Sequence, residues 1–349
     1  MSTKPKLVVG ANGFLGSHVT RRLVADGAQV RAMVRPTANT RAIDDLSPTR
    51  CTRFHGDVFD TAALRAAMDG VDDVYYCVVD TRAWLRDPSP LFRTNVEGLR
   101  NVLDVAVQQS GLRRFVFTST YATVGRRHGH VATEEDVIGS RGLTPYVQSR
   151  VQAEDLVMRY VADAGLPAVA MCVSTTYGSG DWGRTTHGAF IAGAVFGKLP
   201  FTMDGIQLEV VGVDDAARAM ILAAERGRVG ERYLISERMI ALRDVVRIAA
   251  DEAGVPPPRR SISVPMLYAL GALGSLKARL TGKDAELSLN SVRMMRAEAD
   301  VDSSKAKREL GWQPRPVEVS IREAAQFWAA LKGAQTARRD TQNRTAQAE

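Results

Sequence analysis

Leu7-Val8-Val9-Gly10-Ala11-Asn12-Gly13-Phe14-Leu15-Gly16-Ser17-His18-Val19 is the stretch that decides how this chain folds. An apolar run of strand length, 7–10, leads into three glycines. The segment 17–26 then carries Val19, Leu23 and Val24 on one helical face, and Gly27 supplies the stop. The phosphates of a dinucleotide need backbone N–H groups at close range and a helix N-terminus aimed at them. Glycine meets both needs, because it has no Cβ to block the approach and takes positive φ without strain. The spacing is GxxGxxG rather than the more general GxGxxG, so the strand–turn–helix context carries the signal. Gly10, Asn12, Gly13, Phe14, Leu15 and Gly16 are therefore the expected phosphate cradle of a dinucleotide.

Outward from this motif, apolar runs of strand length alternate with helical segments. Strands are expected at 29–34, 53–55, 74–79, 114–118 and 168–173, and helices at 65–68, 96–108 and 147–162. Strands separated by helices make a parallel sheet with right-handed crossovers, so the fold class is α/β, a doubly wound Rossmann sheet. Residues 1–180 form the dinucleotide-binding domain in this reading, with 208–240 returning to it. Segments 181–207 and 241–331 form a smaller, mostly helical substrate-binding cap, and 332–349, which lack apolar periodicity, a disordered tail.

The end of the second strand distinguishes the two nicotinamide cofactors. An acid there accepts the ribose hydroxyls of NAD, whereas an Arg pairs with the 2′-phosphate of NADP. Val30-Arg31-Ala32-Met33-Val34-Arg35 holds no acid and ends in Arg35, which predicts NADP(H) over NAD(H). Asp57, after the third strand, is placed to hydrogen-bond an adenine edge or simply to cap a turn. Val58, Val78 and Val173 are further candidate cofactor contacts.

Interconverting a ketone and an alcohol requires a proton donor beside the carbonyl oxygen and a second hydrogen-bonding group for that oxygen. Thr144-Pro145-Tyr146-Val147-Gln148-Ser149-Arg150 opens a helix, with Pro at a tolerated first-turn position. Tyr146 and Arg150 lie four residues apart and share a face. The cation favours the phenolate, whose formation near neutral pH otherwise costs about 4 kcal/mol.

With these pieces in place, the chain resembles the extended short-chain dehydrogenase/reductases of the NAD-dependent epimerase/dehydratase superfamily. Within that group it is most similar to the dihydroflavonol 4-reductase and 3β-hydroxysteroid dehydrogenase branch. The matching pieces are the glycine motif, His55-Gly56-Asp57-Val58, Asn95-Val96-Glu97-Gly98 and Phe117-Thr118-Ser119-Thr120. The Tyr146 segment with Ala153-Glu154, Val213-Asp214-Asp215 and Leu310-Gly311-Trp312-Gln313-Pro314 complete the set, which spans nearly the whole chain. The resemblance implies a Ser/Thr–Tyr–Lys triad, with its hydroxyl on Thr120 (Ser119 as fallback) and Tyr146 as acid/base. Arg150 stands at the lysine position. Arginine keeps the charge but does not deprotonate, so a proton relay would run through ribose hydroxyls and water alone. Lesser departures are Cys77-Val78-Val79 and Ser174-Thr175-Thr176. Homodimerisation through 96–108 and 147–162 is a further implication of the resemblance.

The net charge of +7 comes from scattered basic residues without a Lys/Arg tract or finger pattern, which argues against nucleic acid as partner. Cys51, Cys77 and Cys172 lack ligand spacing, and His128-Gly129-His130 alone does not make a metal site, so no metal is expected. Widely spaced thiols and the absence of a leader pattern fit a cytoplasmic protein. No run reaches the ~20 apolar residues that span a bilayer. The apolar segment 264–276, flanked by Arg259, Arg260 and Lys277, reads as a buried cap helix, although its charged flanks also permit peripheral membrane contact. The leading expectation is an NADP(H)-dependent oxidoreductase acting on a mainly apolar small molecule. Segments 189–196 and 199–203 with Trp84, Trp182 and Phe190 would shape the pocket mouth. A nucleotide-sugar epimerase or dehydratase with bound NAD, and a non-catalytic NADP sensor prompted by Arg150, are the alternatives.

Overall fold

The computed structural model describes residues 4–125, 129–139, 142–296 and 300–346, with only the helical backbone placed for 296 and 334–346. The first half alternates β1 (Lys6–Val9), α1 (Phe14–Ala25), β2 (Val30–Val34), β3 (Cys51–His55), α2 (Thr61–Met68) and β4 (Asp73–Tyr76). It continues through α3 (Ser89–Phe92), a π-helical turn (Arg93–Gly98), α4 (Leu99–Ala106), β5 (Arg114–Thr120), α5 (Pro145–Ala164) and β6 (Ala168–Val173). The second half holds β7 (Thr175–Tyr177), α6 (Thr186–Val195), β8 (Thr202–Met203), β9 (Gln207–Gly212), α7 (Val213–Arg226), β10 (Arg232–Ile235) and β11 (Arg238–Ala241). The chain ends with α8 (Leu242–Glu252), β12 (Ser261–Ile262), α9 (Val264–Thr281), α10 (Leu289–Arg296), α11 (Ser304–Leu310) and α12 (Val317–Ala346).

Seven strands form one sheet in the order β10-β6-β5-β4-β1-β2-β3, every neighbouring pair parallel. The doubly wound Rossmann architecture expected from the sequence is therefore present. Successive strand residues face opposite sides, and the core divides accordingly. Val8, Tyr75, Val116 and Met171 face the layer that includes α1 and α7. Leu7, Val9, Tyr76 and Phe117 face α2, α4 and α5. Trp312 is fully buried in the first of these layers, and its indole N–H donates to the Asp215 carbonyl at 2.8 Å, which ties the C-terminal region to α7.

Three expectations need correction. The segment 208–240 does not return to the main sheet as a block. Arg232–Ile235 takes the slot beside β6, and β9 instead pairs with β7 and β11 in a three-stranded sheet. The helix α12 continues to Ala346, through 333–346, where a disordered tail is expected. Ala334, Gln335, Ala337, Arg338 and Arg339 are residues that favour helix within it; residues 347–349 lie outside the described residues. Finally, Phe190, Leu199 and Phe201 pack into the C-terminal core, and Trp182 meets Phe327 edge-on at 5.0 Å. Trp84, Trp182 and Phe190 are not in the wall of the cavity at the glycine turn, whereas Trp182 and Phe327 line a second cavity with His18 and Arg41.

The last α12 side chains with described packing are Trp328, Leu331 and Lys332, whose ammonium reaches the Val195 carbonyl at 3.1 Å. Truncation after Gly333 is therefore expected to leave the melting temperature within about 2 °C of the full chain. A calorimetric loss of several degrees would show that the remaining helix is docked.

Candidate active site

The glycine turn places the N-terminus of α1 at the C-terminal edge of the sheet. A Cβ on Gly16 would lie 2.2 Å from the Gly10 carbonyl oxygen, so only glycine lets the helix settle this close to β1. Gly10 itself sits at φ +83, where side chains are disfavoured. A Cβ on Gly13 would meet nothing closer than 3.3 Å, and Gly13 instead faces a cavity. No side chain caps α1, and its first turn holds no acid. Its leading N–H groups are thus available to an anion.

The cavity has a volume of about 640 Å³ and lies where the strand order reverses, the place at which open α/β sheets bind ligands. Gly10, Asn12, Gly13, Arg35, Asp57, Val58 and Val78 line it, together with Asp80 and Arg82. Of the other expected cofactor contacts, Phe14, Leu15, Gly16, Tyr146, Arg150 and Val173 are not in its wall. Gly16 instead does the packing work described above, and Phe14 meets the His18 ring edge-on. Arg35 is exposed at the end of β2, and its guanidinium has no partner among the described residues. Asp57 caps a turn, accepting from the Phe59 N–H at 3.2 Å, while remaining in the wall. These features fit a dinucleotide: an uncapped helix end, a side-chain-free cradle and a free guanidinium.

The helix α5 brings the three candidate catalytic residues together. Thr144 caps it by accepting from the Val147 N–H, Pro145 opens it, and the stripe Val147, Arg150, Glu154 and Val157 turns inward. Tyr146 is half-buried, with the Thr120 hydroxyl near its phenol. Burial raises the Tyr146 pKa above the ordinary tyrosine value; the charge of Arg150 and the Thr120 hydroxyl pull it down, and Asp80 adds to the rise. That influence of Asp80 links the cavity wall to Tyr146. Arg150 is fully buried, donates to the Thr118 carbonyl at 2.5 Å and lies over the Phe117 ring at 5.2 Å. Its Nε and Nη1 have no hydrogen-bond partner among the described residues. Buried donors without acceptors each cost about 1–3 kcal/mol, which an incoming ribose hydroxyl would relieve.

Thr120, the expected triad hydroxyl, and Ser119, its fallback, differ sharply in their surroundings. Ser119 donates to the buried Glu154 carboxylate, which also accepts from Thr123 and pairs with Arg232 at 2.7 Å. Thr120 is left to Tyr146 and to the Ala122 N–H. Two supporting residues carried no assigned role in the sequence reading. Glu154 knits β5, α5 and β10 together. Asn95, in the π-helical turn, exchanges hydrogen bonds with the Asp80 backbone (2.8 and 3.0 Å) and donates to the Ser149 hydroxyl. Each stood in a segment that carried the resemblance, Asn95-Val96-Glu97-Gly98 and Ala153-Glu154. Among the described residues no metal-ligand cluster occurs; His130 instead pairs with Asp136, and His128 lies outside the described residues.

The unpaired donors of Arg150 generate a prediction. Arg150→Met should leave the ligand-free melting temperature equal or higher, because about 1–3 kcal/mol of unmet hydrogen bonding is removed. It should also shrink the thermal shift produced by added dinucleotide. A clear fall in ligand-free stability would show that the Thr118 and Phe117 contacts outweigh the unpaired groups.

Comparison with known proteins follows this geometry. The family model described as NAD dependent epimerase/dehydratase family matches residues 6–236. Sterol demethylase protein B of Methylococcus capsulatus is 26% identical over 326 residues, covering 92% of this chain and 97% of its own. A dihydroflavonol 4-reductase of Zea mays is 26% identical over 261 residues, covering 70% and 73%. The solved structure of gox2253 superposes with a TM-score of 0.80 at 32% identity, covering 93% of this chain and 97% of that one. With its parallel seven-stranded sheet, glycine cradle and Tyr146 helix, the chain belongs to the NAD-dependent epimerase/dehydratase family.

Proposed function

We propose that the protein is an NADP(H)-dependent oxidoreductase that interconverts a ketone and a secondary alcohol on a mainly apolar small molecule. The observation that carries this reading is Tyr146 beside the Thr120 hydroxyl, with the buried, partly unpartnered Arg150 one helical turn along and a dinucleotide-sized cavity at the glycine turn. Arg35 in the cavity wall, with no acid at the end of β2, supports NADP(H) over NAD(H). Support for an apolar substrate comes from the relatives named for a sterol and a dihydroflavonol.

In this reading Gly10, Gly13 and the start of α1 hold the phosphates, Arg35 pairs with the 2′-phosphate, and Arg150 offers Nε and Nη1 to the nicotinamide ribose. The bound nicotinamide supplies or accepts the hydride. Tyr146 donates its phenolic proton to the carbonyl oxygen during reduction, and the Thr120 hydroxyl orients that phenol. Because burial keeps Tyr146 protonated beyond the ordinary tyrosine range, it is an acid at neutral pH and favours the reductive direction. Oxidation needs the phenolate, so its rate rises with pH while reduction stays flat through neutrality. The sensor reading draws on Arg150, which is bonded to Thr118 and cannot pass on a proton.

Cofactor preference is tested by fluorescence titration. NADPH should bind more tightly than NADH, and Arg35→Asp should reverse the order; equal affinities in the wild type would reject the assignment. Turnover across a ketone and alcohol panel tests the chemistry. Tyr146→Phe should abolish it, by ~10²-fold or more, while cofactor binding survives. Arg150→Lys should retain or raise kcat, most visibly for oxidation, and shift the tyrosine-linked pKa of the pH–rate profile. No turnover in wild type or Arg150→Lys despite tight NADPH binding would favour the sensor.

A further inference from the structure

We propose that α9 is a docking helix that seats the protein on an anionic lipid surface. Met266, Leu273, Leu276 and Leu280 on this helix are 53%, 62%, 53% and 79% exposed. Every strongly exposed Leu or Met among the described residues is on it. At about 100° per residue, Met266, Ala269, Leu273, Leu276 and Leu280 fall within an arc of about 80°. They form one stripe along the helix.

The opposite face explains why the large residues point outward. Leu267, Gly271 and Ala278 are buried. A Cβ on Gly271 would come within 2.8 Å of Val292 Cγ2, and one on Gly274 would lie 1.9 Å from the Leu287 carbonyl oxygen. The small residues therefore lie flush against α10 and the chain leading into it, and the branched and sulfur-bearing residues have only solvent to face. Leaving four such side chains in water is unfavourable, and a surface that covers them is favoured.

Charge selects the occupant. The helix contains no Asp or Glu, and Lys277 and Arg279 fall on the two sides of the stripe. Arg259, Arg260 and Lys283 extend the exposed basic rim at both ends. The nearest acids in sequence, Asp284 and Glu286, follow the helix, and the Asp284 carboxylate is engaged by the Arg86 N–H at 2.9 Å. An apolar stripe with a basic rim is the pattern of interfacial helices, and an anionic headgroup layer supplies the counter-charge. A second copy of α9 offers only the same positive rim, so self-pairing along the stripe would set like charges near one another. The helix does not cross the bilayer: no helix among the described residues is long and apolar enough. The α9–α10 pair also reaches the candidate site, since the Thr144 hydroxyl contacts the Met294 sulfur at 3.1 Å.

The test is co-sedimentation of the full chain with phosphatidylcholine vesicles prepared with and without phosphatidylglycerol. The expected result is binding at least ~10-fold stronger to the phosphatidylglycerol vesicles, weakened by high salt. The triple variant Leu273→Ser, Leu276→Ser, Leu280→Ser changes only exposed positions. It should lose binding by ~10-fold or more with its melting temperature and dinucleotide titration unchanged. Lys277→Glu with Arg279→Glu should remove the preference for phosphatidylglycerol. Absence of binding to phosphatidylglycerol vesicles, or equal binding by wild type and triple variant, overturns the proposal. So does a wild-type dimer in light scattering that the triple variant splits without any vesicle binding, which assigns the stripe to a second copy.

Discussion

The rest of the structure depends on one close approach, the contact between the Cα of Gly16 and the carbonyl of Gly10. There is no room for a side chain between them, since a Cβ would come within 2.2 Å of the oxygen. That contact holds α1 against β1 with its uncapped end at the C-terminal edge of the sheet. Around it, β2 and β3 extend to one side and β4, β5, β6 and β10 to the other. The cavity opens at this divergence because the crossover helices leave in opposite directions there. Its wall is accordingly assembled from the ends of four strands that are distant in sequence.

Buried polar groups in the molecule divide into satisfied and unsatisfied sets, and the two behave differently. The Glu154 carboxylate is engaged by Ser119, Thr123 and Arg232, residues drawn from β5, the turn after it and β10. Asn95 likewise bonds the Asp80 backbone and Ser149. Satisfied networks of this kind specify position, because each partner is costly to strand in a low-dielectric interior. Arg150 is the contrast: one donor is bonded to Thr118, while Nε and Nη1 are not. A cation held this way is less stable than it could be.

Legibility varied with the range of the interaction. The strand–glycine–helix motif, the strand alternation and the Tyr146 helix were all readable, because each is encoded by spacing within ~15 residues. Segments in the second half were readable as elements but not as neighbours. β9 has the apolar content of a main-sheet strand, yet it pairs with β7 and β11 because β10 occupies the place beside β6. The aromatic residues 182, 190 and 201 gave the same ambiguity, since composition does not distinguish a cap core from a pocket lining.

The sequence by itself determined the fold class, the strand–glycine turn–helix unit and the placement of Tyr146 and Arg150 one turn apart on a helix, because backbone geometry and helical period are local and carry residue numbers with them. Only the tertiary structure decided between Ser119 and Thr120, two adjacent hydroxyls on one strand. Successive strand residues face opposite ways, so one is drawn into the Glu154 network and the other reaches Tyr146. Tertiary structure likewise decided that α9 turns its leucines outward. The helix is apolar over most of its circumference, and which side is covered depends on where α10 and the segment before it can approach closely, which they do on the glycines.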